Sequence, residues 1–182
     1  MSELPLWRVR LYQSANPLHP VRSGESSAAE HDDDEQAPAH IALEGLPLIL
    51  QSAVIPYRCT PDAVEILLVT SRKKGKWIVP KGLLITGMAP ADSAVKEALE
   101  EAGVGGIVRF GLLGTVVRER RNSICRTQIF AMEVTEVYNH WKEMESRARR
   151  WVTFAEAEQI LGDTRMWECF QRLAACMEQA PR

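Results

Sequence analysis

The chain of 182 residues predicts an α/β fold, a mixed β-sheet with helices on both faces. Three observations carry that expectation. Branched apolar runs of strand length recur between residues 48 and 154, separated by polar or glycine-bearing connections. One segment of helical periodicity, with its own start and stop signals, interrupts them at 90–103. Two more helical stretches follow the last strand.

The elements follow in order. Residues 48–57 and 64–70 read as strands joined through a turn at Thr60-Pro61-Asp62. Arg72-Lys73-Lys74-Gly75-Lys76 is a basic turn into a short strand around Trp77, which leads to a loop bearing Gly82. Pro90 suits the first turn of a helix, where its missing N–H is not needed, and Gly103 suits the left-handed residue after the last turn. Between them Val95, Ala98, Leu99 and Ala102 form an apolar stripe. Residues 107–117 and 124–135 read as two more strands with a polar connection at 118–123, and 149–154 as a last short one. Thr153-Phe154-Ala155-Glu156 is a capping-box start for a helix to about Leu161, and a final amphipathic helix covers about 165–179. There is no internal repeat.

The helix at 90–103 carries the chemistry. Glu97, Glu100 and Glu101 lie at relative positions 0, 3 and 4, so they share one face. Three carboxylates within one turn repel unless a positive charge sits among them. Hard divalent cations take oxygen ligands, and Mg²⁺ combines a few carboxylates with waters and substrate phosphates. The bare triad also suits a solvated acidic face. Its surroundings, a strand, a glycine loop and a helix with fixed ends, favour a cation site.

At these residues the chain resembles the Nudix hydrolase superfamily. The box pattern is a Gly, five residues, a Glu, seven residues, Arg-Glu, an apolar residue, any residue, Glu-Glu, any residue, Gly and an apolar residue. Gly82, Glu97, Ala98, Glu100, Glu101, Gly103 and Val104 stand in register with it. Met88 stands where the first Glu belongs and Lys96 where the Arg belongs, two side chains that in the family brace the loop against the helix. Lys96 keeps the charge without the guanidinium fork. Trp77-Ile78-Val79-Pro80, Arg126-Thr127, Val134-Thr135-Glu136-Val137 with Trp141, and the basic run before Trp151 resemble the branch that cleaves diphosphoinositol polyphosphates and diadenosine polyphosphates. The resemblance covers about residues 48–165.

It implies a Nudix-type α/β/α sandwich and a Mg²⁺-dependent pyrophosphohydrolase, with Mn²⁺ as a second usable cation. Water attack on phosphorus needs neutralised non-bridging oxygens, a positioned water and a proton acceptor. Metal ions supply the first two and a carboxylate the third. Glu101, Glu100 and Glu97 are the expected catalytic carboxylates and metal ligands, and the backbone carbonyl of Lys81 or Gly82 the expected further ligand. Which carboxylate is the base stays open, because groups this close titrate together. Arg72, Arg126 and Arg149 match phosphate-binding positions of the branch, with Lys81 beside them, and Arg suits bidentate phosphate contacts. Two alternatives stand beside this reading: a ligand-binding sensor that has lost turnover, motivated by Met88 and Lys96, and an RNA 5′-pyrophosphohydrolase.

Composition sets the context. The net charge of −2 hides an asymmetry, since 23–36 holds six acids and no Lys or Arg. The rest of the chain has 18 acids against 22 basic residues, a net of about +4. The domain is therefore placed at 46–182, behind an extension at 1–45 with an acidic flexible stretch at 23–40. Cys59, Cys125, Cys169 and Cys176 have no paired short spacing, which points away from zinc and redox motifs and toward a cytoplasmic protein. There is no signal-peptide pattern and no run long enough to span a bilayer. The expected partner is a phosphate-rich small molecule, with neither nucleic acid nor membrane. Oligomeric state is not legible.

Overall fold

The structure, a computed structural model, describes residues 45–162 and 164–179. The extension expected at 1–45 lies outside the described residues but for Gly45.

Seven strands form one mixed sheet. β1 (Leu48–Cys59) is its axis. It runs parallel to β6 (Ser123–Val137) and antiparallel to both β2 (Val64–Thr70) and β4 (Lys81–Leu83). β2 also pairs with β3 (Trp77–Ile78) and β7 (Arg149–Thr153), and β5 (Val104–Arg120) pairs with β6. Three helices complete the domain: α1 (Pro90–Ala102), α2 (Phe154–Leu161) and α3 (Thr164–Gln179).

Alternation along the strands gives the sheet two apolar faces. On one, Val54, Leu67, Val69, Phe130 and Met132 bury against Ala94, Ala98 and Ala102 of α1. On the other, Ile55, Ile66, Leu68, Ile129 and Ala131 pack with Phe154 of α2 and Phe170 and Leu173 of α3. Each large side chain buried there contributes about 1.5–3 kcal/mol. The expected α/β/α sandwich is the observed one.

The helix ends follow the sequence signals. Pro90 opens α1, and Gly103 ends it in the left-handed conformation at φ 62°, its N–H reaching the carbonyls of Ala98 and Leu99. Thr153 and Glu156 make both bonds of the capping box that starts α2. Two expectations need correction. Leu99 is 44% exposed, and the stripe that meets the sheet is Ala91, Ala94, Val95, Ala98 and Ala102. Small side chains let α1 lie close to the sheet, and Leu99 falls at the edge of that contact. The polar connection expected at 118–123 shrinks to Arg121 and Asn122, because the strands continue as a hairpin to Arg120 and from Ser123. Its charged residues project from an extended ladder.

Candidate active site

The β4 strand and α1 are held together by one small side chain. The Ser93 hydroxyl, fully buried, donates to the Leu83 carbonyl at 3.4 Å and accepts from the Ile85 N–H at 3.3 Å. The residues at the two departed box positions do not pair: Met88 makes a turn bond to the Ile85 carbonyl, and Lys96 ion-pairs with Glu100 one turn ahead on α1. Ser93 is therefore the hydroxyl that spans the loop and the helix.

Glu101 is the deepest of the three carboxylates, its side chain 4% exposed. It accepts from the Lys81 N–H at 3.1 Å and from the Arg147 guanidinium. Arg147 is equally buried and also donates to Glu143 at 2.5 Å and to the Thr70 carbonyl at 2.7 Å. Burial pushes Glu101 up to about 7, against the pull of Arg147 and the Lys81 N–H, with the charges of Glu97 and Glu143 adding to the rise. Glu100 goes the other way: hydrogen bonds from Lys96 and Lys142, the latter at 2.9 Å, hold it below the ordinary carboxylate value.

Glu97 reaches over Gly82, which stands in β4 and not in the loop expected there, because it pairs with Ser52 of β1. A Cβ built on Gly82 would overlap its carboxyl group, so the glycine is a cradle for that carboxylate. Desolvation and then the neighbouring Glu100 charge raise its pKa. Ser52 lies opposite Gly82 in the β1–β4 ladder, and its fully buried hydroxyl has no hydrogen-bond partner.

The carboxylates are thus held partly by cations of the chain itself, and no three His, Cys, Asp or Glu side chains converge on one point among the described residues. The donor chemistry nevertheless fits a hard divalent cation. The available ligands are all oxygens, Glu97 is cradled over a glycine, and a buried hydroxyl stands unsatisfied beside it.

The predicted basic residues fall in different places. Arg72 is exposed and lies 3.6 Å from Glu143, at the rim of the carboxylate cluster. Arg126 projects from β6 on the α1 face, in register with Leu50 of β1 and Val117 of β5. With Gln128 and Thr115 these residues form an open floor beyond the helix. Lys81 lies opposite Ala53, whose side chain packs on the other face. Burial lowers its amine pKa, opposed by the charge of Glu101. Arg149 turns to the end of α1, donating to the carbonyls of Ala102 at 2.7 Å and Gly103 at 3.2 Å and lying 4.1 Å over the Trp141 ring. Arg147, Glu143, Lys142 and Ser52 were not singled out from the sequence. A polar Ser directly before the apolar run from Ala53 was a usable signal for the last.

Known proteins place this arrangement. The model of the NUDIX domain matches residues 50–173. The chain is 30% identical over 154 residues to Nudix hydrolase 12, mitochondrial, of Arabidopsis thaliana, across 73% of this chain and 76% of that protein. It is 32% identical over 113 residues to diphosphoinositol polyphosphate phosphohydrolase 3-alpha of Mus musculus, across 61% and 68%. The binary complex of the C. elegans Ap4A hydrolase superposes with a TM-score of 0.60 at 17% identity, covering 72% of this chain and 99% of that one, a likeness of fold. With the family model spanning more than half its length, the chain belongs to the Nudix family and is a pyrophosphohydrolase of that family.

Proposed function

We propose that the protein hydrolyses a pyrophosphate linkage in a phosphate-rich small molecule with the help of Mg²⁺, and that a diadenosine polyphosphate suits its site better than a diphosphoinositol polyphosphate. The observation that carries the first part is the buried Glu101, fixed between the Lys81 N–H and Arg147 with Glu97 and Glu100 on the same helix face.

When bound, the cation would neutralise phosphate oxygens and activate the attacking water. Glu97, Glu100 and Glu101 would hold it, with the carbonyl of Lys81 as a further oxygen. Glu101 is the proposed proton acceptor. In the cation-free chain burial raises its pKa, and the more basic carboxylate is the better proton acceptor. Arg147 and the Lys81 N–H keep its two oxygens in fixed directions, so its attitude toward the substrate is preorganised.

The floor supports the second part. Arg126 and Arg72 are placed to meet phosphates, and the fork of each suits two oxygens. Leu48, Leu50 and Val117, each 44% exposed or more, offer apolar surface to a planar base. An inositol ring carrying phosphates on every side would need more cations than this floor presents, with Arg149 serving the helix end and Lys81 turned away. The four cysteines are free thiols, and no described helix is long and apolar enough to cross a membrane.

The test is product release with Mg²⁺ from diadenosine polyphosphates, diphosphoinositol polyphosphate, nucleoside triphosphates, ADP-ribose and 5′-triphosphorylated RNA. The diadenosine compounds should give the highest kcat/KM. Preference for the inositol compound would overturn the reading of the floor, and binding without turnover on all of them would overturn the enzymatic assignment of this site.

A further inference from the structure

Ser52 lies near the carboxylates and has no part in the proposed hydrolysis. Its hydroxyl is fully buried and has no partner among the described residues. An unsatisfied buried hydroxyl is destabilising, so such groups persist where something outside the chain completes them. The register says what lies next to it. Ser52 pairs with Gly82, and directly opposite Cβ positions in an antiparallel ladder lie about 5 Å apart. The Glu97 carboxyl group occupies the place a Gly82 Cβ would take. Alternation along β1 turns Ser52 to the same face as Val54, the face that α1 covers. The hydroxyl and the carboxylate thus lie on the same face of the ladder without bonding each other. Polar groups set this far apart are commonly bridged by one water.

We infer that Ser52 is a positioning residue, whose hydroxyl hydrogen-bonds a water in the hydration shell of the cation that Glu97 holds. Mg²⁺ sheds its waters reluctantly and keeps several in protein sites, so a fixed outer hydrogen bond adds to its hold. Losing such an outer partner typically costs ten- to a hundredfold in metal affinity. The inference depends on the cation-dependent reading of the site.

The experiment is calorimetric titration of the full chain with Mg²⁺ alone, for the parent and for Ser52→Ala and Ser52→Cys, together with Tm with and without Mg²⁺. Ser52→Ala should bind Mg²⁺ about tenfold more weakly. Its Tm without the cation should equal or exceed that of the parent, which shows it folded, while the rise in Tm that Mg²⁺ produces should shrink. Ser52→Cys, with a weak donor of similar size, should fall between the two. If the parent binds and both variants bind equally well, with Tm raised alike in both conditions, Ser52 is only an unsatisfied core hydroxyl and the inference is wrong. If the parent itself binds no Mg²⁺, the cation-dependent reading fails and the inference fails with it.

Discussion

The guanidinium of Arg147 and the carboxylate of Glu101, 46 residues apart in sequence, form an ion pair in which neither side chain exposes more than 5% of its surface. Arg147 ties this carboxylate to Glu143 and to the end of β2 through the Thr70 carbonyl. One side chain thus fixes the deepest carboxylate of α1 against the sheet.

Removing that side chain leaves a buried carboxylate without its partner. Arg147→Ala should destabilise the fold by about 3–5 kcal/mol, measured by urea unfolding. Arg147→Lys should recover only part of this, since an ammonium cannot reproduce bonds to Glu101, Glu143 and Thr70 in three directions. Full recovery by lysine would show that charge alone matters there.

Gly82→Ala separates geometry from stability. The nearest atoms to the added Cβ are the end of the Glu97 side chain, which can swing aside, so the unfolding midpoint should stay near that of the parent. The carboxylate would leave its cradle, and a displacement on the order of 1 Å costs about a hundredfold in rate. Steady-state kinetics beside thermal unfolding would check both halves.

Lys96 and Lys142 each hold Glu100 by an ion pair at the surface. Exposed pairs contribute little, so a cation that uses Glu100 competes against a modest hold. Lys96→Ala and Lys142→Ala should each tighten Mg²⁺ binding by up to about fivefold in a calorimetric titration. Weaker binding would mean that the lysines orient Glu100 for the cation.

Burial raises Glu101 to about 7, so the native chain holds a proton that the unfolded chain has lost above its ordinary value of 4.5. The native state binds more protons in that window. Its stability without cation should therefore fall as pH rises from about 4.5 to about 7 and level off above. Glu101→Gln, which has no charge to lose, should show a shallower fall across the same window. Equal slopes in parallel urea titrations would place the raised pKa elsewhere.

Most of the sheet, the starts of α1 and α2 and the end of α1 were legible because they rest on local signals: period-two apolar runs, Pro90, the Thr153–Glu156 box and Gly103. The glutamate triad was legible for the same reason, as helical spacing within one turn. Arg147 was not. It heads a run of basic residues, and only the pairing of β7 with β2 decides which of them turns inward beneath α1. Arg149 shows the converse, a candidate for phosphate whose guanidinium the fold places on the carbonyls ending α1. Charge composition also obscured the β5–β6 hairpin, where Arg118, Glu119 and Arg120 look like loop residues yet stand in an extended ladder.

The most direct test of the central claim is the rate of diadenosine polyphosphate hydrolysis as Mg²⁺ is titrated, in the parent and in Glu101→Gln. Turnover should rise with Mg²⁺ to saturation and fall by about 10²–10⁴ in the variant, with both proteins folded. Turnover independent of Mg²⁺, or undiminished in Glu101→Gln, would contradict it.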